Sequence, residues 1–152
     1  MELHTLFKDS FDTFKVFAKL DTQKASLLHN NTPKSIWQIL NHLIIWQEYQ
    51  IRKLSAVATA EINEIDTWFA SKEVSDEVLL INKIATFETQ IETIKEMLRK
   101  MTLQDNNSEE KLKIIQDITV HLSFHLGEII TIMRQNGHYP MPHEMEHFLN
   151  AE

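Results

Sequence analysis

The sequence predicts an all-α fold, a four-helix bundle, on three observations. Its 152 residues include only 2 glycines and 3 prolines, too few tight-turn residues for a many-stranded sheet. No segment carries the period-two alternation of a strand. Leu80, Ile84, Phe87, Ile91, Ile94, Leu98 and Met101 follow one another in steps of 4, 3, 4, 3, 4 and 3, the apolar seam of a helix packed in a bundle.

Four amphipathic segments account for one domain over residues 1–152. The first predicted helix spans residues 2–28. Leu3, Phe7, Phe14 and Phe17 form its stripe, Leu6, Phe11 and Ala18 widen it, and the run from His29 to Pro33 breaks it. The second spans 35–54 and opens with Ser35 and Gln38 at capping-box spacing. The third spans 75–102, with Asp76 and Glu77 at the positive end of the helix dipole. The fourth spans 108–136, with Glu109 and Glu110 in its first turn and Gly137 placed to end it. Residues 55–74 form a connection much longer than the ~2–8 residues usual between bundle helices. It carries Ile62, Ile65, Trp68 and Phe69. Two readings stand: a cover over one end of the bundle, or the wall of a pocket.

Composition narrows the function. Apolar residues make up 43% and charged residues 24%, a soluble globular balance. Fifteen basic against 22 acidic residues give a net charge of −7. The basic residues are scattered, so the footprint of a nucleic-acid binder is missing. There is no cysteine, which removes disulfides, thiolate ligands and a cysteine nucleophile. The amphipathic start "MELHTLFKDSFDTF" is unlike a signal peptide. No run approaches the ~18 apolar residues of a membrane span. The expectation is a cytoplasmic protein with no membrane partner.

The fourth segment breaks the apolar rule. Its stripe reads Ile114, Ile118, His121, His125, Glu128 and Ile132, in steps of 4, 3, 4, 3 and 4. At ~3.6 residues per turn the three ionisable residues lie within roughly 60° of one another. Burying such groups unpaired costs several kcal/mol, so something must satisfy them. The second segment has a matching anomaly, His42 in the stripe Ile39, His42, Trp46 and Tyr49. Three inward histidines from two facing helices can converge on one ion. Three neutral imidazoles suit zinc, nickel, iron or copper and leave positions open for water or substrate. Each ring then needs an acceptor for its other N–H. Glu128 is the first candidate, Gln38 and Glu48 weaker ones. Trp46, Tyr49 and Trp68 are candidate pocket residues. The alternative is that the histidines form only a hydrogen-bond network in the core.

"SIWQILNHLIIW" (Ser35 to Trp46) and "HLSFHLGEIITIMRQNGHYP" (His121 to Pro140) resemble the DinB-like superfamily of four-helix metal-binding proteins, including its YfiT-like branch. The family places one histidine on the second helix and H-x-x-x-H before a glycine on the last. His42, His121, His125 and Gly127 fit those places, and Arg134 to Gly137 fit the end of the last helix. The resemblance implies a DinB/YfiT-type bundle, a mononuclear divalent metal, zinc or nickel, and a homodimer. It also implies a metal-dependent enzyme acting on a small molecule, as a thiol S-transferase using a low-molecular-weight thiol cosubstrate or as a hydrolase. The alternative it leaves open is a non-catalytic dimeric bundle that binds metal or a small ligand in stress response.

One further motif stands in the tail. His143 to His147 reads H-E-M-E-H, the H-E-x-x-H of zinc proteases. That chemistry needs a helix within a larger domain and a third ligand downstream, and only residues 148–152 follow here. The expectation is a polar terminal turn with Met145 and Phe148 touching the bundle, and at most an adventitious metal pair at His143 and His147. His138 is expected at the bundle end, and His4 and His29 at the surface or rim.

Overall fold

Caps in the sequence set where the helices begin. In the computed structural model, which describes residues 2–28 and 32–152, the helices are α1 (Leu3–Leu6), α2 (Thr22–Ala25), α3 (Ile36–Leu54), α4 (Glu77–Lys100), α5 (Ser108–Gln135) and α6 (Met145–Asn150). Two short 3-10 helices, Glu64–Trp68 and Pro142–Glu144, precede α4 and α6. Among the described residues there is no strand. At the start of α3, the Gln38 backbone N–H donates to Ser35 Oγ at 3.3 Å. The Ser35 N–H donates back to Gln38 Oε1 at 3.1 Å. This is the expected capping box, closing two of the free donors at the helix end. Asp76 caps α4 by accepting from Leu79 N at 3.0 Å. The glutamates Glu109 and Glu110 sit in the first turn of α5.

Helix ends follow equally local rules. At the end of α5, His138 N–H donates to Met133 O at 2.8 Å and Gly137 N–H to Arg134 O at 3.1 Å. Gly137 takes φ +70°. That pair of bonds is a Schellman motif, and its left-handed residue is cheapest as glycine. The end of α3 repeats the motif, Val57 N–H to Arg52 O and Ala56 N–H to Lys53 O. There the left-handed residue is Ala56, at φ +56°.

The long helices carry the core. The α3 helix packs against both α4 and α5. From α3 come Ile36, Ile39, Leu40 and Leu43, from α4 Leu80, Phe87, Ile91, Ile94 and Leu98, and from α5 Ile115, Ile118, Leu122, Ile129 and Ile132, all buried. The expected seam of α4 holds throughout, Ile84 being its one half-buried member. No helix of the described residues is long and apolar enough to cross a membrane.

The first of the expected helices is not one helix. Between α1 and α2 the chain runs in turns, and Phe14 and Lys15 both adopt φ +52°. Asp12 diverts the chain, its Oδ1 accepting from Phe14 N at 2.8 Å. Asp21 then caps α2, accepting from Lys24 N at 2.8 Å. Short acidic side chains offer the backbone an alternative to helix bonds, and here they win over apolar periodicity. The stripe is broken accordingly. Leu3, Phe11 and Phe17 are buried, whereas Leu6 and Phe14 are exposed and Val16 takes an inward place. Phe17 anchors the segment edge-on against Phe87 of α4, ring centroids 5.1 Å apart. The tail closes over it. Tyr139 OH donates to Phe14 O at 2.6 Å, and Lys15 Nζ donates to Ala151 O at 2.6 Å.

Candidate metal centre

His42 and the H-x-x-x-H pair meet. His42 lies on α3 and His121 and His125 on successive turns of α5. Each offers a ring nitrogen, and these nitrogens all lie within 4.8 Å of one another. His42 and His121 approach Nε2 to Nε2 at 3.0 Å. Two imidazoles bound ~2.0–2.1 Å from one tetrahedral ion span an edge of about 3.3 Å, so the rings already stand near ligand spacing. His42 is 1% and His125 6% exposed, and His121 is half-buried.

The hydrogen bonds show which nitrogen is free. Thr67 Oγ1 donates to Glu64 O at 2.5 Å, which commits its only proton. It must then accept from His42, whose Nδ1 lies 2.7 Å away. His42 therefore carries its proton on Nδ1 and a lone pair on Nε2. His125 Nδ1 lies 2.9 Å from Glu128 Oε2, and in the neutral tautomer that donates there Nε2 is the nitrogen left with a lone pair. In each case the acceptor holds one tautomer and aims the other nitrogen into the cluster. In the metal-free protein the His42–His121 contact then needs a proton on His121 Nε2. Loading a cation requires His121 to move that proton to Nδ1.

Burial keeps the His42 and His121 rings neutral. Loss of solvent, with His125, His121 and Lys34 adding to it, pushes His42 from 6.5 down to about 3. Burial and then His125 push His121 down to about 4. Neutral imidazole is the form that ligates a metal, so little proton competition remains at neutral pH.

The connection 55–74 builds one wall of this centre. Asn63 caps its 3-10 helix, accepting from Ile65 N at 3.2 Å. Gln38 Nε2 ties the far end down by donating to Ala70 O at 3.1 Å. Between these anchors Thr67 reaches His42 Nδ1, and Trp68 stacks on the His42 ring at 3.9 Å and 7°. Lys34 Nζ lies 5.0 Å above the other ring system, that of Trp68. The connection therefore packs on α3 and shapes the site.

The expected outer residues divide. Glu128 takes the acceptor role foreseen for it. Gln38 spends its amide on the cap and on Ala70, and Glu48 is exposed. Thr67 is the acceptor the sequence did not reveal. Asn63 before two acidic residues was the available sign of a helix start there. Trp46 sits 5.7 Å from His121, ring to ring, and lines a cavity of about 250 Å³ that His121 also lines. Tyr49 lies elsewhere, bonded through its OH to Glu61 at 3.0 Å and lining a second cavity under the connection.

The tail histidines do not join. His143 lies in a 3-10 turn and His147 in α6, both exposed, and Met145 and Phe148 pack on the core. His4 and His138 are half-buried, and His29 lies outside the described residues.

If Thr67 orients His42, Thr67→Val should weaken zinc binding by about 10–100-fold, the usual cost of losing an outer-shell acceptor, with the helix content unchanged. Competition against a chromophoric chelator measures it. Unchanged affinity would remove Thr67 from the centre.

No family model, curated protein or solved structure matches the chain, so the case for this centre rests on its own geometry.

Proposed function

We propose that this chain is a metal-dependent enzyme of the DinB-like kind, in which His42, His121 and His125 hold one divalent ion, zinc or nickel. One observation carries the reading: three buried or half-buried imidazoles converge, and protein acceptors hold the outer nitrogen of two of them. A bound divalent ion would supply a Lewis acid that lowers the pKa of water or a thiol toward neutrality. Everything else is the work of side chains. Thr67 and Glu128 hold protons at Nδ1 of His42 and His125. Trp68 covers His42 and keeps bulk water from it.

Two features support catalysis over storage. The group contains three ligands and, among the described residues, no fourth, which leaves coordination positions for a substrate. A cavity beside His121 gives that substrate a place. With no cysteine in the chain, the nucleophile is water, as in a hydrolase, or the thiol of a low-molecular-weight cosubstrate, as in an S-transferase.

Elemental mass spectrometry of untagged protein, offered zinc or nickel and then dialysed, tests the reading. About one ion per chain is expected from a single three-imidazole site. No stoichiometric metal would overturn it and leave a histidine network in the core.

A further inference from the structure

Two of the three converging rings have an acceptor for the nitrogen that faces away from the cluster. Thr67 serves His42, and Glu128 serves His125. The Nδ1 of His121 has none among the described residues, and the ring's contact with His42 runs through Nε2. The metal-free tautomer accounts for that asymmetry. With the proton on Nε2, Nδ1 carries a lone pair, and an acceptor gains nothing by approaching it. Loading reverses the ring. Nε2 becomes the ligand and Nδ1 the donor, and a half-buried donor without a partner is costly. An outer acceptor is what holds a ligating histidine in one tautomer and one orientation.

The surroundings of His121 offer one group for that task. In a helix a side chain leans back over the turn before it, so His121 covers the turn that holds Asp117 and Ile118. Residues at i and i+4 are neighbours on a helix surface, with Cβ atoms ~5–6 Å apart, a span that an aspartate and a histidine can bridge. Asp117 and His121 both line the cavity of about 250 Å³ between α3 and α5, and Asp117 is the one carboxylate in its wall. Gln47 and Gln50 also stand in that wall, but their amide oxygens are shielded from solvent and so do not face the opening. Asp117 is exposed, free to take a rotamer that points at the ring. We propose that Asp117 is a positioning residue of the metal centre and accepts from His121 Nδ1 when the site is loaded. It then does for His121 what Thr67 and Glu128 do for the other two rings. The inference deepens the metal-enzyme reading and rests on it.

Zinc affinity of the untagged full chain, measured by chelator competition in wild type, Asp117→Ala and Asp117→Asn, tests the assignment. Asp117→Ala should weaken zinc binding by about ten-fold, the low end for a lost outer acceptor, with helix content unchanged. Asp117→Asn keeps an acceptor oxygen without the charge. A neutral hydrogen bond has about half the strength of a charge-assisted one, so this variant should lose only about three-fold. Nitrogen NMR of the imidazoles adds a readout that a merely structural role would not move. In the zinc-loaded wild type the proton on His121 Nδ1 should be visible and slow to exchange with water, and in Asp117→Ala it should exchange fast. Wild-type affinity in Asp117→Ala would overturn the proposal, as would an Nδ1 proton that stays slow in that variant. Asp117→Asn as weak as Asp117→Ala would overturn it too, because only the pull of a nearby charge on the cation would remain. The failure of the metal reading looks different. A wild type that takes up no zinc would discard the whole centre, whereas zinc uptake untouched by either variant would discard Asp117 alone.

Discussion

The double variant His121→Ala/His125→Ala is expected to reduce bound metal from about one ion per chain to none, and His143→Ala/His147→Ala to leave it unchanged. The expectation follows from where the lone pairs are. A lost outer acceptor typically costs about 10–100-fold in affinity, and a lost ligand costs more. Removing two of three should therefore cost on the order of 10⁴-fold, below any stoichiometric retention after dialysis. The tail pair has the i, i+4 spacing but none of the setting. Its first member sits in a 3-10 turn, both rings are exposed, and no third ligand joins them among the described residues. Truncating His125 also leaves Glu128 without its partner, so the variant needs a folding control. Circular dichroism supplies one, and His121→Gln/His125→Gln supplies another that keeps volume and polarity. Metal lost only from the tail variant would move the site to H-E-M-E-H.

What the sequence disclosed depended on whether local chemistry decided the outcome. The capping box at Ser35 and the glycine end of α5 were legible because each is settled within a few residues. His42, His121 and His125 were legible for a different reason: a polar group on an apolar stripe contradicts its surroundings, and the contradiction locates the site. The first segment misled because its apolar spacing suits a helix, while the Asp12 and Asp21 side chains redirect the backbone. Periodicity does not weigh those bonds. Thr67 was hidden because the path of residues 55–74 is set by distant anchors, the Gln38 to Ala70 bond among them. Ala56 was hidden too, since nothing in an alanine announces the left-handed conformation that ends α3. Only the packed structure shows that the Gln47 amide is buried without a hydrogen-bond partner.

The buried imidazoles also fix how the metal-free protein responds to acid. Unfolded, His42 titrates near 6.5, and folded near 3; His121 falls to about 4. Between these values the unfolded chain binds more protons than the folded one, so stability falls as pH falls. The loss begins near pH 6.5 and grows down to the folded values. His42 alone contributes on the order of 3 kcal/mol by pH 4, at 1.36 kcal/mol per pH unit, and His121 acts in the same direction. Acidic groups with lowered pKa, among them Asp21, also lose stabilisation on acidification. They do so only below about pH 4, near their own unfolded values, so the two windows separate. Urea unfolding of the metal-free protein should therefore show a midpoint that declines from pH 7 to pH 5. His42→Gln, which keeps a partner for Thr67 but has no proton to gain, should make that decline shallower by about half, leaving the share of His121. Saturating zinc should raise the whole curve, because the ion binds only the folded arrangement of the three rings. A midpoint level between pH 7 and pH 5 in metal-free wild type would mean that the imidazoles are protonated or solvated in the folded state, and the convergence of lone pairs would lose its basis.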